Sequence, residues 1–292
     1  MNDFTSLNQE RKKCANYVVI GGFLIFVGII LFMLGDVISI FGVIFFIAGG
    51  IVAGIGAGKF QQIKYRFKNE YLKKIIQDVY QNSTYDPKNG LPMARVYRSG
   101  LLKKADRFHS EDLIRGSFED VKFETCDLKL EERHVRHTKN GTQVYYVTYF
   151  LGRFFEFEFP KSFKGKIVVT EGAILTWFTD LKKMEMESVE FNKKFKTYSN
   201  DEHNTFYVLT PHLMESLMDL ERQNPGTIAC SFDGNRLTIV INNNRDTFEL
   251  KLFSEINEMS IISMKKELEV IQNIIEELRL NRNIFINKEE NI

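Results

Sequence analysis

His203 and His212 lie close in sequence, with Asp201 and Glu202 beside the first. Two imidazoles and a carboxylate can hold a transition metal, and an imidazole paired with a carboxylate can do hydrolytic acid–base work. His203, His212 and Asp201 are therefore the candidate catalytic set, against the competing reading of chance proximity. His134 and His137 sit among Arg133, Arg136 and Lys139. That basic setting repels a cation, and their odd offset puts them on opposite faces of a strand. Glu156 and Glu158 alternate with Phe155, Phe157 and Phe159. Period two explains this pattern as a strand with one apolar and one solvated face. The three cysteines, Cys14, Cys126 and Cys230, form no C-x-x-C pair. They indicate neither a disulfide framework nor a zinc site, and the latter two read as core thiols. No phosphate loop, zinc-protease helix, nucleophile elbow or kinase signature occurs, so no metal and no cofactor are expected.

The elements that would position any such chemistry begin with two apolar runs, 15–34 and 37–57, parted by Gly35 and Asp36. Neither run contains Asp, Glu, Lys, Arg or His. Crossing a hydrocarbon core takes about 20 helical residues, so each run is long enough to span a bilayer. Arg11, Lys12 and Lys13 precede the first run; Lys59, Lys64, Arg66 and Lys68 follow the second, and the turn carries only Asp36. Basic flanks stay cytoplasmic. The expectation is a two-span membrane protein with both termini cytoplasmic, its basic edge residues setting topology and within reach of lipid headgroups. Gly50, Gly54 and Gly58 recur at four-residue spacing, which permits close helix approach in lipid, either within the hairpin or to another helix.

The remaining chain can bury a sizeable core. A net charge of +1 gives no electrostatic case for nucleic acid. Apolar residues at helical spacing from Phe60 to Val79 predict a stalk helix running on from the second span. Beyond it, residues 94–104 read as helical and 108–116 as a connection. Strands are expected from Ser117 on, with Asn140-Gly141 marking a hairpin turn. Trp177 lies in a loop, 184–195 alternates weakly, and 206–209 reads as a short strand. Thr210 and Pro211 predict the cap and first position of a helix. A hairpin around Asp233-Gly234 follows, then a strand over 246–253. A C-terminal helix capped by Ser254 reaches Leu280.

The fold expected is an N-terminal transmembrane helical hairpin followed by an α+β soluble domain, with antiparallel sheet and a C-terminal amphipathic helix. Its segments are 1–14, the hairpin 15–58, a stalk 59–83, the domain 84–282 (divisible at 91–183 and 184–253), and a tail 283–292.

Several strings resemble a bacterial family known as domain of unknown function 3137. They are Tyr85-x-Pro87-x-x-Gly90; Ser99-Gly100-Leu101-Leu102 leading to Ser110-Glu111-Asp112-Leu113-Ile114-Arg115-Gly116; and Phe150-x-Gly152-x-Phe154-Phe155. Glu190-Phe191-Asn192-Lys193-Lys194-Phe195, Leu209-Thr210-Pro211 and Asn273-Ile274-Ile275-Glu276-Glu277-Leu278-x-Leu280-Asn281 complete the set. The resemblance implies a two-helix membrane hairpin before a cytoplasmic domain and brings no activity with it. The function expected is an interaction or scaffold module at the inner face of the membrane, touching membrane lipids and a protein partner or a second copy. The alternatives are a tethered hydrolase-like enzyme using His203, His212 and nearby carboxylates, or a lipid-binding accessory protein.

Overall fold

The computed structural model describes residues 3–139, 141–159, 162–171 and 180–280. Asn140, Trp177, Asn281 and the tail 283–292 lie outside the described residues. The chain divides into two compact units, one of residues 1–75 with 248–264, the other of 76–247 with the chain from Lys265 onward.

In the first unit, helix α1 (Asp3–Met33) turns at Gly35, whose φ is +74°, and returns as α2 (Ile38–Arg66). Both helices are long and apolar enough to cross a membrane, and little of either spanning window is buried. A helix apolar on all sides needs an apolar solvent. Glycines at seven-residue spacing make the seam. A Cβ on Gly42 would fall 2.5 Å from Phe32 N, on Gly49 2.6 Å from Gly21 O, and on Gly56 2.8 Å from Tyr17 Cβ. Gly21 and Gly28 answer from α1, where a Cβ would meet Ala53 N at 2.6 Å and Phe46 N at 2.7 Å. Seven-residue recurrence keeps one face toward a partner helix at shallow crossing. Gly50, Gly54 and Gly58 have nothing within 4 Å of an added Cβ, so that ladder faces away from α1.

Helix α2 continues through a π-helical turn, Phe67–Leu72, into α3 (Lys73–Val79). Residues 246–253, expected as a strand, are irregular instead, and the segment 248–256 is strapped to α1. Asn8 Nδ2 donates to Ile256 O at 2.7 Å, Asn8 Oδ1 accepts from Ile256 N at 3.0 Å, and Arg11 Nη1 donates to Leu252 O at 2.7 Å. These long-range bonds satisfy backbone groups of the segment without a sheet partner.

The second unit contains β1 (Thr84–Asp86), α4 (Met93–Arg98), β2 (Arg107–Phe118), β3 (Val121–Thr138), β4 (Gly141–Glu158), β5 (Lys166–Glu171), β6 (Lys182–Met184), α5 (Val189–Lys194), β7 (Phe195–Ser199), α6 (Glu202–Val208), α7 (Pro211–Gln223), β8 (Thr227–Asp233) and β9 (Arg236–Asn242). Helix α8 (Glu258–Glu277) follows. The nine strands form one antiparallel sheet in the order β1-β2-β3-β4-β9-β8-β5-β7-β6. Strands from both 91–183 and 184–253 share it.

Three local expectations are corrected. Residues 107–118 are a strand rather than a connection, paired along β3. Within the weakly alternating 184–195, residues 189–194 are a helix, and the short strand expected at 206–209 falls largely in the helix 202–208, because each helix has a strong start signal. Ser188 Oγ accepts from Phe191 N at 3.2 Å, and Asp201 Oδ1 accepts from Asn204 N at 2.9 Å. Such caps satisfy otherwise orphaned donors and favour a turn of helix over a short strand. Helix α8 starts at Glu258, where Asn257 Oδ1 accepts from Ser260 N at 3.0 Å, and not from a Ser254 cap. Thr210 does cap α7, its Oγ1 accepting from Leu213 N at 3.3 Å with Pro211 next.

One sheet face is covered by the α4 segment. Leu91, Val96, Leu101 and Leu102 pack there with Cys126, Leu128, Phe154, Val168, Ala229 and Val240. The opposite face carries Phe123, Phe155, Phe157, Cys230 and Ile239, all buried. Helix α8 lies on that face, where Arg153 Nη1 donates to Glu267 O at 2.8 Å.

The seam predicts a contrast between two glycines. Gly49→Ile should destabilise the hairpin by about 1–3 kcal/mol through overpacking, while Gly54→Ile should cost less than about 0.5 kcal/mol. Denaturant titration of the full chain in maltoside micelles measures both.

Candidate functional site

The structure does not gather the histidine set. Asp201 is spent as the cap of α6, and His203 and His212 are both exposed. Among the described residues, the one group of three potential ligands whose ligand atoms lie within 4.8 Å of one another is Glu111, Asp112 and Asp246. His134 stacks on Tyr145 and His137 Nδ1 lies 3.0 Å from Thr142 Oγ1, roles that need no metal. Of the basic edge residues, Lys64 pairs with Glu249 and Arg66 with Glu10, each at 2.8 Å. Arg11 and Lys68 are buried, Lys12 lies 3.8 Å from Glu255, and Lys59 lies over the Tyr17 ring.

Sequence reading missed the densest polar site, which lies on β4. Glu156 was expected on a solvated face, yet its side chain is only 4% exposed. Strand register places Arg115, Glu124, Glu156 and Thr238 side by side on adjacent strands, and α4 covers that row. Arg95 donates to Glu156 Oε1 from Nε at 3.0 Å and from Nη2 at 2.5 Å. Arg98 Nη2 reaches Oε2 at 3.2 Å, and Arg236 Nη1 reaches Oε1 at 3.4 Å. Arg95 also pairs with Glu124, to which Arg115 Nε donates at 2.5 Å. Burial works against the Arg95 charge, but Glu156 and Glu124 outweigh it and hold the guanidinium above its ordinary pKa. The adjoining cavity is about 220 Å³, and its lining has no histidine, cysteine or serine. Carboxylates so engaged by guanidinium groups serve charge compensation.

On the other face, the buried Arg153 and Asp127 face each other. Arg153 Nη2 donates to Thr125 Oγ1 at 3.1 Å, and its Nε lies 3.6 Å from Asp127 Oδ1, too far for a hydrogen bond. Asp127 Oδ2 accepts from Thr247 N at 2.9 Å. Desolvation raises the Asp127 pKa to about 7, more than Arg153 lowers it, with Asp112 and Asp246 adding repulsion. Asp112 sits in a β-bulge at φ +57° and accepts a short hydrogen bond from Tyr85 Oη. Burial and Asp112 both raise the Tyr85 pKa, keeping the phenol protonated. Three carboxylates suit a hard divalent cation, though one of them is already engaged by the tyrosine. Cys126 and Cys230 are buried, and burial pushes both thiols up to about 12, which suits inert core residues.

A third feature is the arm at the far end of β3 and β4. In the sheet ladder, residues 132–138 pair only with 141–147, beyond the last partners of β2 and β9. At about 3.4 Å per residue this ribbon projects roughly 24 Å. Val135, Val144, Tyr145 and Val147 are exposed along it, among Arg133, Arg136 and Lys139.

The model of the family described as "Protein of unknown function (DUF3137)" matches residues 148–280. The match covers 133 of the chain's 292 residues, from 148 to 280. It holds Arg153, Glu156, Arg236 and Glu267, while Arg95, Arg98, Asp127 and both membrane-length helices lie before it. A search of curated proteins finds no match. Among solved structures the chain is similar to the mycobacterial trehalose monomycolate transport factor A, TtfA, at 6% identity and a TM-score of 0.40, over 71% of this chain and 92% of that one. A likeness that slight carries no argument.

Two expectations follow for these buried charges. Glu156→Gln removes the buried carboxylate from three partly exposed arginines, Arg95, Arg98 and Arg236, and should lower the unfolding free energy by about 1–3 kcal/mol. Glu158→Gln, 41% exposed and near Arg236 alone, should cost less than about 1 kcal/mol. Folded Asp127 titrates at about 7 against an ordinary 3.8, so the folded chain keeps a proton that the unfolded chain releases in between. Stability should therefore fall as pH rises from about 4 to about 7, by on the order of a few kcal/mol. Asp127→Asn should flatten that slope. Urea titrations of the full chain in micelles across this range check all three variants.

Proposed function

We propose that the chain is a membrane-anchored interaction module that holds its α+β domain at the inner face of the membrane and offers the β3–β4 arm to a protein partner. The arm is the observation that carries this reading. A two-stranded ribbon that exposes Val135 and Val144 on one face and Tyr145 and Val147 on the other is a ready template for association. The anchor rests on the two membrane-length helices, and the side rests on the basic residues flanking both runs with only Asp36 between them. The enzymatic alternative would use His203 and His212, both exposed, with Asp201, which caps α6, and these three are not among the described groups of three potential metal ligands within 4.8 Å. The lipid-binding alternative draws on the hairpin rather than the domain.

The test is site-specific photo-crosslinking in cells. A photoreactive residue at Tyr145 on the arm should yield discrete protein adducts. The same residue at Asp120, in the turn between β2 and β3, should yield none above background. Val147→Asp should reduce the Tyr145 adducts at least about fivefold at unchanged protein level, since Val147 shares the face of Tyr145 and a charge there must be desolvated on docking. Equal labelling from both positions would count against the arm as the docking element.

A further inference from the structure

We propose that a cleft between the membrane-edge ends of α1 and α2 holds the phosphate headgroup of an anionic phospholipid, an assignment that rests on reading the hairpin as membrane-embedded. The cleft is about 650 Å³, and Glu10, Lys13, Tyr17, Lys59, Ile63 and Arg66 are among its lining residues. Its charges are three cations and one anion. Arg66 Nη2 donates to Glu10 Oε2 at 2.8 Å, which cancels one of each. Among the described residues, no ion pair engages Lys13 or Lys59. Lys59 is held only over the Tyr17 ring, 5.3 Å from its centroid. Two uncompensated ammonium groups thus converge on one concave site, which is what a phosphate monoanion or diester requires.

Position selects a lipid over a soluble phosphate. Lys13 comes just before the first apolar run and Lys59 just after the second, so both lie at headgroup depth when the runs fill the hydrocarbon. Gly56 sits immediately inside, close enough to α1 that an added Cβ would fall 2.9 Å from Cys14 O, and seals the seam above the cleft. Exposed Val19, Ile20 and Ile55 supply an apolar surface for the acyl chains. Topology alone would need the charges but neither their convergence nor a cleft.

The test uses delipidated full-length protein in maltoside micelles, titrated with dioctanoyl phosphatidylglycerol, dioctanoyl phosphatidylcholine or inorganic phosphate, and read by thermal midpoint and by native mass spectrometry. Phosphatidylglycerol should bind saturably and in preference to phosphatidylcholine. Each headgroup-facing lysine contributes about 1 kcal/mol, so Lys13→Gln with Lys59→Gln should weaken binding about tenfold or more. Lys13→Arg with Lys59→Arg should retain binding. Lys73→Gln with Lys74→Gln, an equal loss of charge elsewhere, should leave it unchanged. Equal binding of the two lipids, indifference to the Lys13 and Lys59 variants, or saturation by inorganic phosphate at the same concentration would overturn the proposal. Solubility of the chain without detergent would instead overturn the membrane reading beneath it.

Discussion

A carboxylate buried in the middle of a sheet has to be neutralised where it stands, and Glu156 imposes that requirement on most of the second unit. Strand β4 is covered on both faces, so the alternation of Phe155, Glu156 and Phe157 finds no water to resolve it. Arg95 and Arg98 come from α4 and Arg236 from β9, which fixes α4 over one end of the sheet face while Val96 and its apolar neighbours fill the other. A lone buried charge is far more costly than a paired one, so helix placement, strand order and charge are a single constraint. Gly152 belongs to it too, since a Cβ there would meet Ile241 O at 2.0 Å and hold β4 and β9 apart.

The hairpin answers a different solvent. Lipid supplies no hydrophobic drive between helices, so close backbone approach does the joining. The glycines at seven-residue spacing make that approach, and the ladder at four-residue spacing turns outward. Where the apolar runs end, polar bonding resumes through Asn8, Arg11, Lys64 and Arg66, which tie the helices to one another and to the 248–256 strap. Residues read as a simple basic edge are therefore divided between protein contacts and the two lysines left facing the cleft.

What could be read in the sequence follows the range of the interactions. The two apolar runs, the Thr210-Pro211 start of α7 and the hairpin around Asp233-Gly234 are set by neighbours in the chain, and all are present. The helices at 189–194 and 202–208 were hidden because a single capping side chain outweighs a short apolar pattern. Period two revealed which side of β4 carries Glu156 and Glu158, but not whether another element covers that side. That depends on arginines about 60 and 80 residues away. The strap at 248–256 was misread for the same reason, since its partner Asn8 stands near the other end of the chain.

The proposed function requires the two membrane-length helices to span a bilayer with the domain on the same side as both basic flanks. The three native cysteines are buried, which leaves a low background for thiol labelling. The decisive measurement is labelling of Asp36→Cys and Lys139→Cys by a membrane-impermeant maleimide in intact cells and after permeabilisation. Labelling of position 36 in intact cells, with position 139 labelled only after permeabilisation, is the predicted result. Labelling of both positions, or of position 139 alone, in intact cells would contradict it.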